Sequence, residues 1–251
     1  MELQIKVAVV SACFLIEIDK MDECGKQFDI EKTWDYILFT NDKSKINCSD
    51  IWQIREVDCS KFKYGVHATK HIKWLTHEYL PEYDIIIWVD SFIVPNMKKI
   101  CEIKEMIKNV YKTENLVYIR TQHFKNVNGD IEWCLKNNRI HDEMASNIIN
   151  YLSINMGFSV YEDGPTYWSS GMIKNNKSNA LRNMATELFH LVVTVGYRDQ
   201  HWLPALFKKH NIETSIIKND SGKSHIITEN DIFIEPGKRI KENHNYLCII
   251  K

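Results

Sequence analysis

The stretch YDIIIWVDSFIVP, Tyr83 to Pro95, decides how the chain folds. Three isoleucines, a tryptophan and a valine lead into Asp90, Ser91 follows, and then the chain turns apolar again. A run that is apolar on both alternating faces is the pattern of a strand buried at the centre of a parallel sheet. In such sheets ligands bind beyond the carboxyl ends of the strands, and the spacing predicts Asp90 at one of those ends. The plain alternative is a carboxylate that caps a turn or pairs with a buried lysine, since buried charges are normally paired.

Outward from this strand, elements alternate. QIKVAVVSA (4–12) and WDYILFTND (34–42) are short, β-branched apolar runs, and DIWQIREVD (50–58) is a weaker third. GVHATKHIKWLTHEYL (65–80) has helical spacing, with Val66, Ile72, Leu75 and Tyr79 near one face, and MKKICEIKEMIKNVYK (97–112) is a second amphipathic helix. NLVYIRTQH (115–123) is a further strand. Beyond it, DEMASNIINYLSINMG predicts a helix stopped by Gly157, and YWSSGMIKNN (167–176) a strand returning to the sheet. SNALRNMATELFHLVVTV begins a helix at the N-cap Ser178, and RDQHWLPALFKKHN begins another with Pro204 in its first two turns. The tail from Ser215 carries short strand-like pieces and no clear helix. The expectation is one α/β domain over residues 1–251, a mainly parallel central sheet flanked by helices.

Charge narrows the function classes. Lys+Arg is 32 against Asp+Glu 33, which removes the electrostatic argument for nucleic acid as a partner. The seven cysteines are odd in number and contain no C-x-x-C spacing, which argues against a zinc site or a disulfide framework and for a reducing compartment. The apolar run VAVVSACFLI (7–16) has only Lys6 as a basic lead and no small-residue cleavage site, so it does not read as a signal peptide. No apolar stretch approaches the roughly 20 residues that span a bilayer, and a cytoplasmic protein without a transmembrane segment is expected.

Three chemistries compete for Asp90. A Walker B strand needs a phosphate loop, and NDSGKS (219–224) has Ile217 where G-x-x-x-x-G-K-[ST] requires glycine, with no long helix following. A phosphatase with Asp90 as nucleophile needs a nearby second acid, and Phe92 occupies the position two residues on. A nucleotide-sugar glycosyltransferase must neutralise a diphosphate leaving group, for which a carboxylate at a central strand end can hold a divalent metal or contact the ribose.

Four segments in order favour the third. FTND (39–42), ATKHIKWLTHEYLPEYDIIIWVDS (68–91), SSGMIKNN (169–176) and YRDQHWLPAL (197–206) resemble GT-A-type glycosyltransferases. They look closest to the glycosyltransferase-like domains of plant cell-wall and bacterial surface-polysaccharide proteins that carry a W-[IV]-D strand end and a later R-D-Q. The resemblance implies a GT-A-like, Rossmann-like sheet and transfer of a sugar from a nucleoside diphosphate, UDP expected, to a glycan or other hydroxyl acceptor. It places Ser11, Ala12, Thr40, Asn41 and Asp42 beside the nucleotide, and Lys70 at the diphosphate or ribose. It makes Asp90 the first acid of a D-x-D metal motif, with Ser91 next to it in the nucleotide site. Arg198, Asp199 and Gln200 fall at the sugar or acceptor end.

The departure is Phe92, where the motif has its second acid and a phenyl ring cannot ligate Mn²⁺ or Mg²⁺. His244 or His225 would then complete a metal site with Asp90, or Lys70 or Arg198 would neutralise the diphosphate directly. An inverting reaction needs a general base, for which Asp199 and Asp163 are the candidates. Asp163 also reads as a turn residue before Gly164 and Pro165, and Asp199 as a helix-start acid favoured by the dipole. His67 and His71 stand four apart on a helix and read as structural or donor-side. Of the aromatics Trp133, Tyr167, Trp168 and Trp202, the expected sugar platforms are Trp168 and Trp202. The competing class is a non-catalytic nucleotide-sugar or glycan-binding domain with a degenerate D-x-D.

Overall fold

The computed structural model describes residues 5–14, 28–46, 48, 50–218 and 227–236. Strands β1 (Val7–Cys13), β2 (Asp35–Thr40) and β3 (Gln53–Glu56) come first, followed by helices α1 (Gly65–Trp74) and α2 (Thr76–Tyr79). The Tyr83–Pro95 stretch forms β4 (Ile85–Val89) and a short β5 (Val94–Pro95), then α3 (Ile100–Lys112) and β6 (Leu116–Thr121) follow. The second half contains α4 (Val127–Lys136), α5 (Asp142–Asn150), β7 (Tyr167–Asn175), α6 (Asn179–Thr194), α7 (Asp199–Lys209), β8 (Glu213–Ile217) and β9 (Phe233–Ile234). His225, His244 and the NDSGKS segment lie outside the described residues.

Local chemistry explains the boundaries. Ser178 caps α6 as expected, its hydroxyl accepting from the Leu181 N–H at 3.3 Å. The helix expected over 65–80 breaks after Trp74. There Thr76 Oγ1 donates to the Ile72 and Lys73 carbonyls at 2.8 and 3.0 Å. Lys174 Nζ takes the Lys73 and Trp74 carbonyls at 2.6 and 3.2 Å. Carbonyls claimed by side chains no longer hold the next helical turn. The 142–157 helix ends in a π-helical turn over Tyr151–Asn155, and Gly157 adopts φ 61°, the left-handed conformation that glycine takes most readily. Helix α4 goes beyond the sequence expectation, and Asn126 caps it through the Gly129 N–H at 3.0 Å.

The seven-stranded sheet has the order β3-β2-β1-β4-β7-β6-β8. Every neighbouring pair is parallel except those involving β7, which is antiparallel to both β4 and β6. The chain builds from β1 outward to β3 and then returns to place β4 on the other side of β1. That reversal creates a crevice at the carboxyl ends of β1 and β4, the switch point where open α/β sheets bind ligands. β4 is buried on both faces, as the apolar run requires. Ile86 and Trp88 pack on the face covered by α1, α4, α5, α6 and α7, whereas Ile85, Ile87 and Val89 pack towards α3 and β9. No helix among the described residues is long and apolar enough to cross a membrane.

β9 pairs antiparallel with β5 to form a two-stranded sheet. Asn96 pins this pair by donating to the Glu229 and Asp231 carbonyls at 2.7 and 2.8 Å. Phe233 packs against Gly171 of β7, where a Cβ would meet its ring at 2.7 Å. A buried phenyl ring has no slack at that distance. We predict that Gly171→Ala costs about 1–3 kcal/mol by overpacking, read as a lower urea midpoint at unchanged slope; an unchanged midpoint would show that Phe233 re-seats freely.

Candidate functional site

Asp90 follows β4 directly, and its N–H donates to the Ser170 carbonyl at 2.8 Å, so the β4–β7 ladder carries it to the crevice. By strand alternation its side chain shares the face of Trp88, beneath α1. Helical spacing puts Lys70, Lys73 and Trp74 on one face of α1, and that face meets two carboxylates. Lys73 Nζ donates to Asp90 Oδ1 at 3.3 Å and to Ser169 Oγ at 3.1 Å, and lies 5.2 Å from the Trp88 ring centre. Trp88 Nε1 also donates to Asp90 Oδ1, at 3.1 Å. Lys73 is 2% exposed while Asp90 keeps 32% of its side chain in solvent, so the carboxylate is the part open to a ligand.

The second carboxylate is Asp199, the first residue of α7 and fully buried. Its Oδ1 accepts from Lys70 Nζ at 2.6 Å, and its Oδ2 from Trp74 Nε1 at 2.9 Å and Ser169 Oγ at 2.8 Å. Ser169 is the link, accepting from Lys73 and donating to Asp199. Residues from α1, β4, β7 and α7 thereby form one chain of charge-assisted hydrogen bonds running Asp90, Lys73, Ser169, Asp199, Lys70.

Burial alone would raise the Asp199 pKa, but Lys70, Lys73 and the hydrogen bonds from Lys70 and Trp74 outweigh it and hold the carboxyl well below the usual range. Burial pushes Lys70 down to about 8 against the pull of Asp199. Lys174, under the same end of α1, is pushed down to about 7 by burial and by Lys73. A third cation comes from the end of β6. Arg120 Nη1 donates to Ser170 Oγ at 3.4 Å, and its guanidinium lies 4.3 Å from the Trp168 ring centre. Burial lowers Arg120 to about 10 although Asp231, Glu235 and Asp90 pull the other way.

The R-D-Q triplet divides. Asp199 joins the crevice, while Arg198 Nη2 points to Asp130 Oδ1 on α4 at 3.5 Å. Asp130 also faces His201 Nε2 at 3.3 Å, and its Oδ1 lies 3.7 Å from Cys134 Sγ. Asp130, Cys134 and His201 offer metal-ligating atoms within 4.8 Å of one another. Burial raises the Cys134 thiol to about 12, and the Arg198 cation shares the carboxylate. His201 Nδ1 has no hydrogen-bond partner, whereas a ligating histidine normally has its second nitrogen oriented by one. The cluster has the character of an ion-pair network that ties α4 to the start of α7. Gln200 is half-buried in that first turn.

Other expected residues fall in various places. Ser11 and Ala12 lie within β1 and not after it, both buried, with Ser11 Oγ unpartnered. Thr40 ends β2, and its hydroxyl accepts from the Asp42 N–H at 3.2 Å. Asp42 caps the short turn Lys43–Lys45 through the Ser44 N–H at 3.0 Å, with half-buried Asn41 between them. Ser91 is buried in the turn after β4. Asp163 pairs with Lys125 at 2.7 Å, both exposed, and joins neither Asp90 nor Asp199. His71 Nδ1 meets the Tyr79 hydroxyl at 2.7 Å, and burial lowers this histidine to about 4, in keeping with a structural role.

One expectation is corrected. Trp202 is fully buried and donates to the Gly196 carbonyl at 2.9 Å, so it is core and not a sugar platform. Phe92 packs into the hydrophobic cluster with Ile93, Val94 and Phe233, so the second-acid position is built into the core. Of the expected ligands to a divalent ion, Asp90 lies at the crevice and His244 lies outside the described residues. Asp90 Oδ1 already faces the Lys73 ammonium, and among the described residues the trio of metal-ligating side chains lies at Asp130.

Lys174 offers a test of the electrostatics. Its folded value near 7 lies below the ordinary 10.5, so from pH 7 to 10.5 the unfolded chain binds a proton that the folded chain lacks. Stability contributed by this group therefore rises with pH across that window. We predict that Lys174→Met flattens the rise between pH 7 and 9 in urea titrations; parallel profiles for the two proteins would refute the assignment.

The chain matches no protein-family model, and no curated protein matches it. The functional reading rests on this geometry and on the resemblance carried by its segments.

Proposed function

We propose that the protein is a glycosyltransferase that moves a sugar from a nucleoside diphosphate, UDP the expected nucleotide, to a hydroxyl of a glycan or other acceptor. One observation carries this reading. Asp90 and Asp199, the acids of the two motif segments, are joined through Lys73 and Ser169, and Asp199 also holds Lys70. Departure of a nucleoside diphosphate develops negative charge that preorganised cations stabilise best in a site shielded from water. Lys70, Lys73 and Arg120 supply those cations, and the exposed edge of Asp90 is suited to accept hydrogen bonds from ribose or sugar hydroxyls. Trp168, half-buried beneath Arg120, offers a ring edge beside them.

Asp199 suits positioning better than proton transfer. A general base works best with a pKa near the operating pH, and Asp199 is held far below that with both oxygens engaged. It fixes Lys70 and Ser169. A non-catalytic nucleotide-sugar binder is the second reading, favoured by the buried Phe92 and by the lysine already facing Asp90.

Thermal shift with UDP- and GDP-sugars separates binding from its absence, since a ligand specific to the folded state raises apparent stability. No shift with any of them would end the proposal. Donor hydrolysis with and without Mn²⁺ then separates enzyme from binder and reads metal dependence directly. In an active protein, Lys73→Met should lower turnover about 10²–10³-fold, the scale for losing one preorganised charge stabiliser. Asp90→Asn should also lower turnover, and if both variants kept wild-type rates the site would be misassigned.

Affinity for UDP should fall as pH rises through about 8, because Lys70 is the cation that loses its proton there. Lys70→Gln should bind more weakly and without that pH dependence. A wild-type affinity constant from pH 6.5 to 9 would remove Lys70 from the diphosphate site.

A further inference from the structure

A groove separate from the Asp90 site lies against α1 at His67 and His71. α1 follows β3, so its first turn lies at the carboxyl edge of the parallel strands. α6 follows the antiparallel β7 and returns to that same edge, where the chain passes through Tyr197 into α7. Between these ends the groove opens to solvent, its volume of about 530 Å³ within the roughly 300–1,000 Å³ range of small-molecule sites. Its walls are apolar and aromatic, with Phe62, Tyr64, Met144, Phe189, Val192 and Tyr197 among them.

The polar inventory of the groove is selective. None of its lining residues is Asp, Glu, Asn or Gln, the side chains that usually read sugar hydroxyls. Its charge comes from Lys61 and Lys63, which are exposed at the rim, 5.1 and 5.0 Å from the Phe62 and Tyr64 ring centres, with Asp58 outside the lining near enough to Lys61 to feel its charge. His71 is neutral near pH 7 and is committed to Tyr79. α1 begins beside these lysines with no side-chain cap and no acidic residue in its first turn, so the positive end of its dipole has the same sign. A hydrocarbon-compatible wall with a positive rim is complementary to a molecule that is apolar along its length and anionic at one end.

We propose that this groove binds an amphiphile with a single hydrocarbon chain and a phosphate head group, the chain along Phe62, Phe189 and Val192 and the head at Lys61 and Lys63. This site is distinct from the donor crevice, because Lys70, Lys73 and Trp74, which bond to Asp199 and Asp90, do not line the groove. A lipid-linked phosphate seated here would lie at the same edge of the sheet as Asp90.

Titration calorimetry of the full chain with dodecyl phosphate, kept below its micelle concentration, tests this directly. We expect saturable binding, weakened about ten-fold or more by the Lys61→Ala/Lys63→Ala double substitution at about 1 kcal/mol per lysine facing an anionic head. Val193→Glu, placed on the exposed part of the wall, should weaken binding further without touching the core. Circular dichroism checks that both variants remain folded. Dodecyl maltoside, with the same chain and a neutral head, and inorganic phosphate, with no chain, should each bind far more weakly. Equal binding of either one overturns the proposal, as does the absence of dodecyl phosphate binding or indifference to the lysine substitutions. Displacement by UDP would place the phosphate head in the donor crevice and overturn the groove as its site.

Discussion

The Lys73 ammonium, almost wholly withdrawn from solvent between Asp90 and Ser169, is the constraint on which the crevice depends. A buried cation must be compensated, and breaking such a pair by removing one partner is strongly destabilising. Lys73 finds compensation in the carboxylate at the end of β4, in the hydroxyl on β7 and in the Trp88 ring face. Those partners come from two adjacent strands, so the lysine can be satisfied only when β7 has entered the sheet beside β4. The same serine passes the interaction on to Asp199, and through it to Lys70 and α7. Docking of α1, insertion of β7 and placement of α7 are thus coupled through one polar chain, which also lines the cavity proposed for the donor.

α1 takes part in both sites, and its side chains divide between them along one broad buried arc. Lys70, Lys73 and Trp74 bond to the crevice acids, while His67 and His71 border the apolar groove. Its carboxyl end is anchored from below by Lys174, which takes the Lys73 and Trp74 carbonyls. The two sites differ in chemistry, one built of paired charges and the other apolar with a basic rim.

Much of the framework could be read locally. The β4 run was recognisable because burial on both faces leaves no polar alternation, and Asp90 was conspicuous as the first charge after it. Ser178 and Gly157 marked helix ends through side-chain and backbone preferences that act within a few residues. What could not be read was which helical lysine would meet which acid. Lys70 and Asp199 are 129 residues apart, and Lys73 and Ser169 are 96 apart. Lys70 was anticipated near the diphosphate, but its neighbour Lys73 was indistinguishable from a solvated surface lysine. Trp202 was misread for the same reason, because an aromatic at a helix start looks alike in a core and at a binding surface.

The sequence by itself determined the α/β class, the buried central strand and the position of Asp90 at its end, because these follow from periodicity and short-range hydrophobic burial. Tertiary structure alone decided that β7 would run antiparallel between β4 and β6, that Arg198 and Asp199 would turn to different partners, and that Phe92 would join the core. Strand order and charge pairing depend on contacts between residues distant along the chain, whose energies exist only once the sheet has assembled. The carboxylate that ends the apolar run is held by a lysine whose own sequence context contains no sign of it.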